Sequence, residues 1–155
     1  MRPIRLAALA FLALALLAAC AGGPPKRVYP PQSMVHELRV TPAGEWQLEL
    51  RIRNFSTVPM DFNRMQATLT IAGSEATRFD INPALSVGPG SAEIVARTFT
   101  PPAAVREAVE QALAARRPVA YSLTGRLASR EPRTDDAFEY TSRLDPVPGL
   151  EGVLR

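Results

Sequence analysis

The sequence is poor in the side chains that do most protein chemistry. Its 155 residues include one cysteine, one histidine, one tryptophan and a single lysine, Lys26. With Cys20 alone, no intramolecular disulfide and no cysteine-based metal cluster can form. Nucleophilic catalysis of the Ser-His-Asp or Cys-His kind would have to be built on His36, which lies between Val35 and Glu37 in a segment read as an edge strand. An exposed strand histidine is the expectation there. Zinc sites draw on several His or Cys ligands, and only carboxylates remain. Asp135-Asp136 lacks the spaced oxygen ligands around a turn glycine that a calcium loop requires. Gly88-Pro89-Gly90 is not followed by a glycine-opened helix of the phosphate-binding kind. An excess of one charge is missing too. The 18 basic residues face 15 acidic ones, and without Arg2 and Arg5 the balance is 16 against 15. The sequence pI of 9.6 therefore does not mark a nucleic-acid surface, which would gather Lys and Arg into one patch. The reading is of a protein with no catalytic residues, no cofactor, no metal and no nucleic-acid partner.

What the chain does have begins at residue 1. Met1-Arg2-Pro3-Ile4-Arg5 opens on positive charge, and an unbroken apolar run from Leu6 to Ala19 ends at Cys20. The run falls short of the about 20 residues that span a bilayer, and it has the layout of a secretory signal, residues 1–19. Leu17-Ala18-Ala19-Cys20 resembles the lipobox of bacterial lipoproteins, which implies that Cys20 carries the lipid and becomes the first mature residue. Two or three acyl chains hold a protein stably, at about 0.8 kcal/mol per buried methylene. Ala21 stands where an Asp would retain such a lipoprotein in the inner membrane. The resemblance thus implies a lipid-anchored protein of the cell envelope, on the outer membrane and facing the periplasm. Residues 20–32 are rich in Gly and Pro and read as a flexible tether.

The mature chain is patterned for strands. Trp46, Leu48, Leu50 and Ile52 alternate with Gln47, Glu49, Arg51 and Arg53, the period of two that gives a strand one dry and one wet face. Val35, Leu38 and Val40 permit a strand before it. After turn-formers at 54–59 the alternation resumes with Met65, Ala67, Leu69 and Ile71. Shorter strands are expected at Phe79 and Ile81 and over 92–99, where adjacent Ile94 and Val95 leave the buried face open. One segment changes period: Val105, Ala108, Val109, Ala112 and Leu113 recur at helical spacing. Thr100 is the expected N-cap and Pro101 the first helical residue, giving a helix over about 101–117 with Arg116-Arg117 near its negative end. Val119, Tyr121, Leu123 and Leu127, then Phe138, Tyr140 and Leu144, mark two final strands. Residues 146–155 read as a loosely attached tail. The expected fold is a mainly β, immunoglobulin/fibronectin-III-like antiparallel β-sandwich over 33–145 with one inserted α-helix; a small barrel is the alternative.

This order of elements resembles the late-embryogenesis-abundant group 2 family, or water-stress and hypersensitive-response (WHy) domain, in a bacterial lipoprotein form. The resemblance rests on Leu48-Glu49-Leu50-Arg51-Ile52-Arg53-Asn54, Leu69-Thr70-Ile71-Ala72-Gly73, Val87-Gly88-Pro89-Gly90 and the strand Val119-Ala120-Tyr121-Ser122-Leu123-Thr124-Gly125-Arg126-Leu127. Where the family often has Asn-Pro-Asn, this chain has Asn54-Phe55-Ser56, so only the first Asn carries over; Ser56 and Thr57 are expected to bond locally to the backbone. The resemblance implies a non-catalytic protein of envelope stress, protective or binding, against desiccation or osmotic shock. The alternative is an adaptor subunit of an envelope assembly or transport complex, with other envelope proteins as partners. Phe55, Val58 and Met60 around the family turn are a possible interaction patch, with burial in the sandwich end as the competing expectation.

Overall fold

The computed structural model describes residues 25–155; Cys20 and the signal segment lie outside the described residues. The elements are β1 (Gln32–Val40), β2 (Trp46–Arg53), β3 (Met60–Ile71), β4 (Ser74–Ile81), β5 (Leu85–Val87), β6 (Ala92–Phe99), helix α1 (Ala103–Ala114), β7 (Val119–Ser129), β8 (Thr134–Leu144) and β9 (Val153–Leu154). They form two sheets with all pairings antiparallel. One has the order β6-β2-β1-β9; the other has β4-β3-β7-β8, with β5 alongside the start of β3. Trp46, Leu48, Leu50 and Ile52 from the first sheet meet Met65, Leu69, Ile71, Leu123 and Leu127 from the second in a single core. Among the described residues the fold is a β-sandwich of the immunoglobulin-like class, with one helix and no barrel closure.

Two irregularities decide which side chains enter that core. In β1, Val35 pairs with Leu50 and Glu37 with Glu49, so His36 is an extra, bulged residue. The inward set therefore changes from Ser33 and Val35 to Leu38 and Val40. In β3, Phe62 pairs with Ser129 and Arg64 with Ala128, so Asn63 is bulged. Met60 and Phe62 point inward before it, and Met65, Ala67, Leu69 and Ile71 after it. A bulge inserts one residue and so reverses the period-two phase. That is why β3 starts at Met60, five residues before the alternation that marks it in the sequence. At Gly125 of β7 a Cβ would fall on the Gln66 carbonyl oxygen and 2.8 Å from Ala67 Cα, so the neighbouring β3 backbone leaves room for glycine alone.

The helix is shorter than expected. It starts at Ala103 with Pro102 at the N-cap and no side-chain cap, so Thr100 does not cap it. Pro102 forces Pro101 out of helical geometry, which delays the first turn. At the other end Arg116 N–H donates to Leu113 O (3.1 Å) and Arg117 N–H to Ala112 O (2.9 Å), the two bonds of a Schellman motif. Arg116 takes the left-handed position at φ 50°. Both arginines thus lie beyond the helix, and its last turn holds no basic residue. Val105, Val109 and Ala112 face the core.

The tail is no loose end. Val153 and Leu154 are buried and pair with Arg39 and Leu38 of β1. Val40 N–H donates to Gly152 O at 2.8 Å, and Gly152, at φ 70°, holds a conformation and an approach to Val40 that a Cβ would prevent. Glu37, swung outward by the β1 bulge, is covered by Arg155 (2.7 Å) and Arg39 (2.8 Å). Hydrogen bonds from Arg155 outweigh the opposing effect of burial and hold the Glu37 carboxyl below the usual carboxylate range, with Arg39 adding to the effect.

Candidate interaction surface

Because each long strand reverses its predecessor, the connections sort to two ends of the sandwich. The helix, the 41–45 turn and the 145–152 segment lie at one end. At the other lie residues 25–31, the 54–59 loop, the 88–91 loop and the 130–133 turn.

Asn54 organises this second end. It is fully buried. Its Nδ2 donates to the carbonyls of Val58 (2.8 Å), Val87 (3.0 Å) and Gly88 (3.1 Å), and its Oδ1 accepts from Ser56 N–H (2.8 Å). Asn54 N–H itself donates to Ser91 O at 2.9 Å. One amide thereby ties the 54–59 loop to the end of β5 and to the 88–91 loop.

The side chains of Ser56 and Thr57 were expected to bond locally, but they reach far along the chain. Tyr29 N–H donates to Ser56 Oγ (2.9 Å), Arg27 N–H to Thr57 Oγ1 (2.8 Å), Thr57 N–H to Arg27 O (2.9 Å), and Thr57 Oγ1 to Pro25 O (3.0 Å). From Pro25 onward the expected flexible tether is therefore bonded to the 54–59 loop, and Pro31 is buried.

The three residues proposed as a patch separate. Phe55 is 42% exposed, with the Arg53 guanidinium 4.8 Å above its ring. Val58 is half-buried, and Met60 is fully buried in the core beside Ser56. Met60 is thus withdrawn from the patch: as an inward residue of β3 ahead of the bulge it belongs to the sandwich interior. The exposed apolar surface at this end comes instead from Phe55 with Val28 and Tyr29, which are 45% and 43% exposed.

A groove of about 430 Å³ crosses β3, β7 and β8 near the same end. Arg64, Arg126, Arg130 and Arg133 line it. Asp80 accepts from Arg64 Nη2 (2.6 Å), Arg64 Nε (3.0 Å) and Gln66 Nε2 (3.0 Å), and Arg126 Nε donates to Asp135 (3.1 Å). The Arg64 bonds hold Asp80 below its usual range. Asn63 Oδ1 and Thr134 Oγ1 are buried in the groove wall without a protein partner. Asp61 N–H donates to Glu131 O and Arg130 N–H to Asp61 O, both at 2.9 Å, tying the β7–β8 turn to the start of β3. Sequence reasoning missed this groove. The one available signal was the change of phase between Met60-Phe62 and Met65-Ala67, which places a bulge, and bulges re-aim side chains. His36 is half-buried at its own bulge. Among the described residues, no group of three or more His, Cys, Asp or Glu is placed to hold a metal ion, and no helix is long and apolar enough to cross a membrane.

No family model and no curated protein matches the chain. Among solved structures it is similar to a protein from Archaeoglobus fulgidus at 14% identity, covering 78% of this chain and 98% of that one, with a TM-score of 0.42. A solution structure of a protein from Arabidopsis thaliana is similar at 15% identity, with coverage of 79% and 80% and a TM-score of 0.47. The CARDB domain of a Pyrococcus furiosus protein, solved in complex with di-metal ions, is similar at 9% identity, with coverage of 79% and 93% and a TM-score of 0.38.

Proposed function

We propose that this chain is a non-catalytic binding module of the cell envelope, tethered by lipid on Cys20, which protects the envelope under drying or osmotic stress in the manner of the late-embryogenesis-abundant group 2 family. The arginine groove is the observation that carries the binding role. Two of its guanidiniums, Arg64 and Arg126, are held in place by Asp80 and Asp135, and Asn63 Oδ1 and Thr134 Oγ1 are buried beside them with no protein partner. Fixed donors beside unsatisfied polar atoms suit recognition of a polar or anionic surface, since little side-chain freedom is left to lose on contact.

The test is a deletion strain complemented with the natural chain, with Cys20→Ser, or with Arg126→Ala and Arg130→Ala together. The deletion strain is expected to lose viability after drying, with rescue by the natural chain alone. Survival equal to the parent strain removes the protective role. Crosslinking in membranes that captures one stoichiometric protein would instead make the module an adaptor subunit.

A further inference from the structure

Five large apolar side chains stand exposed among the described residues: Val28, Tyr29, Phe55, Ile94 and Leu150. Three of them, Val28, Tyr29 and Phe55, lie at one end of the sandwich, on two segments that Tyr29 N–H and Ser56 Oγ join directly. The same end holds Lys26, Arg27, Arg53, Arg130 and Arg133, against the carboxylates of Asp61, Glu93 and Glu131. Aromatic and aliphatic side chains ringed by excess positive charge have a natural environment at a bilayer surface. There the rings enter the interface, and guanidiniums meet lipid phosphates while their stems stay in apolar surroundings.

The chain's own connectivity points the same way. Pro25 lies five Cα–Cα steps after Cys20, a reach of at most about 18 Å when fully extended. Pro25 in turn is fixed to the end in question through Thr57. The twelve-residue strand β3 is about 40 Å long, so an anchored sandwich carries the 54–59 loop near the membrane and the helix well away from it.

We infer that the end formed by residues 25–31, the 54–59 loop and the 130–133 turn seats against the anionic lipid surface that holds the anchor, with Val28, Tyr29 and Phe55 at the headgroup boundary and the surrounding arginines on lipid phosphates. This rests on the lipidation of Cys20 proposed above. It adds to that reading a second, reversible membrane contact and a fixed orientation.

Tryptophan placed at exposed sites reads this contact without disturbing the core. The full-length lipidated chain carrying Phe55→Trp or Leu150→Trp is reconstituted into vesicles containing brominated lipid, made of phosphatidylcholine with or without phosphatidylglycerol, and Cys20 is checked by mass spectrometry. Buried Trp46 serves as the common background. Quenching is expected to be several-fold stronger for Phe55→Trp than for Leu150→Trp, greater with phosphatidylglycerol, and weakened by salt. Replacing Arg130 and Arg133 by Ala lowers the docked-to-free ratio about fivefold for each arginine. Equal quenching at the two positions, or none for Phe55→Trp in either lipid, overturns the inference. An unmodified thiol at Cys20 would instead remove the anchor; the same quenching pattern, measured on that chain added to vesicles, would then judge the surface alone.

Discussion

At the scale of single residues, the buried amide of Asn54 and the covered carboxylate of Glu37 do the most to specify the structure. Asn54→Ala leaves three carbonyls and the Ser56 N–H without their partner in a site that is buried or half-buried. Each buried polar group left unpaired costs about 1–3 kcal/mol, and some of these will find water or neighbours. The expected loss is about 2–4 kcal/mol, read as a lower denaturant midpoint at unchanged slope. Glu37 supplies a pH-dependent term. Its carboxyl is held below the ordinary value, chiefly by Arg155, so its contribution is complete above the unfolded carboxylate pKa of about 4.3 and disappears as pH falls through the lower folded value. Glu37→Gln should destabilise the protein by about 1–3 kcal/mol at neutral pH. Urea titrations across pH should show the gap to the natural chain closing in acid, and a gap of constant size would contradict the ion-pair account.

At the scale of elements, the sequence and the fold can be compared strand by strand. The alternation from Trp46 to Arg53 identifies β2 to the residue, because a regular strand between two others has one wet and one dry face along its whole length. β1 and β3 were legible only in part, since a bulge in each changes the inward set partway along. Met60 and Phe62 fall outside the phase that Met65 to Ile71 set. The two residues of β9 are too few to carry any period, and their burial depends on β1, more than a hundred positions earlier. For the candidate site, the 54–59 turn and Phe55 were visible in the sequence. The groove was not, because Asn63, Arg126 and Thr134 come together only through strand pairing. Arg97, an inward residue on edge strand β6 with Nε lacking a partner, is another feature no local pattern announces, and an inward charge of this kind discourages edge-to-edge association. The helix terminus offers a clean test. Arg116 occupies a left-handed site that costs a residue with a Cβ roughly 1–2 kcal/mol relative to glycine. Arg116→Gly should stabilise the protein by about 1 kcal/mol, after its greater freedom when unfolded is counted, measurable as a rise in thermal midpoint.

At the scale of the whole molecule, the amino-terminal segment is bonded to the loop end and residues 153–155 close the first sheet beside β1. Removing residues 153–155 takes away two buried side chains, leaves Leu38 and Arg39 without ladder partners and strips Glu37 of its closer arginine. Each buried aliphatic side chain is worth about 1.5–3 kcal/mol, so a loss of about 3–6 kcal/mol is expected. Against a typical domain stability of 5–15 kcal/mol, that removes a large share. Calorimetry should show a sharply lowered melting temperature, and a truncated chain that melts with the natural one would mean that β9 is dispensable.

The position of β9 also bears on the order of events during synthesis. A polypeptide emerges amino end first, so β1 is made early while the strand that seals its outer edge, and the arginine that neutralises Glu37, come last. The outer edge of β1 stays open until residues 153–155 have been made, and the closed first sheet must wait for them.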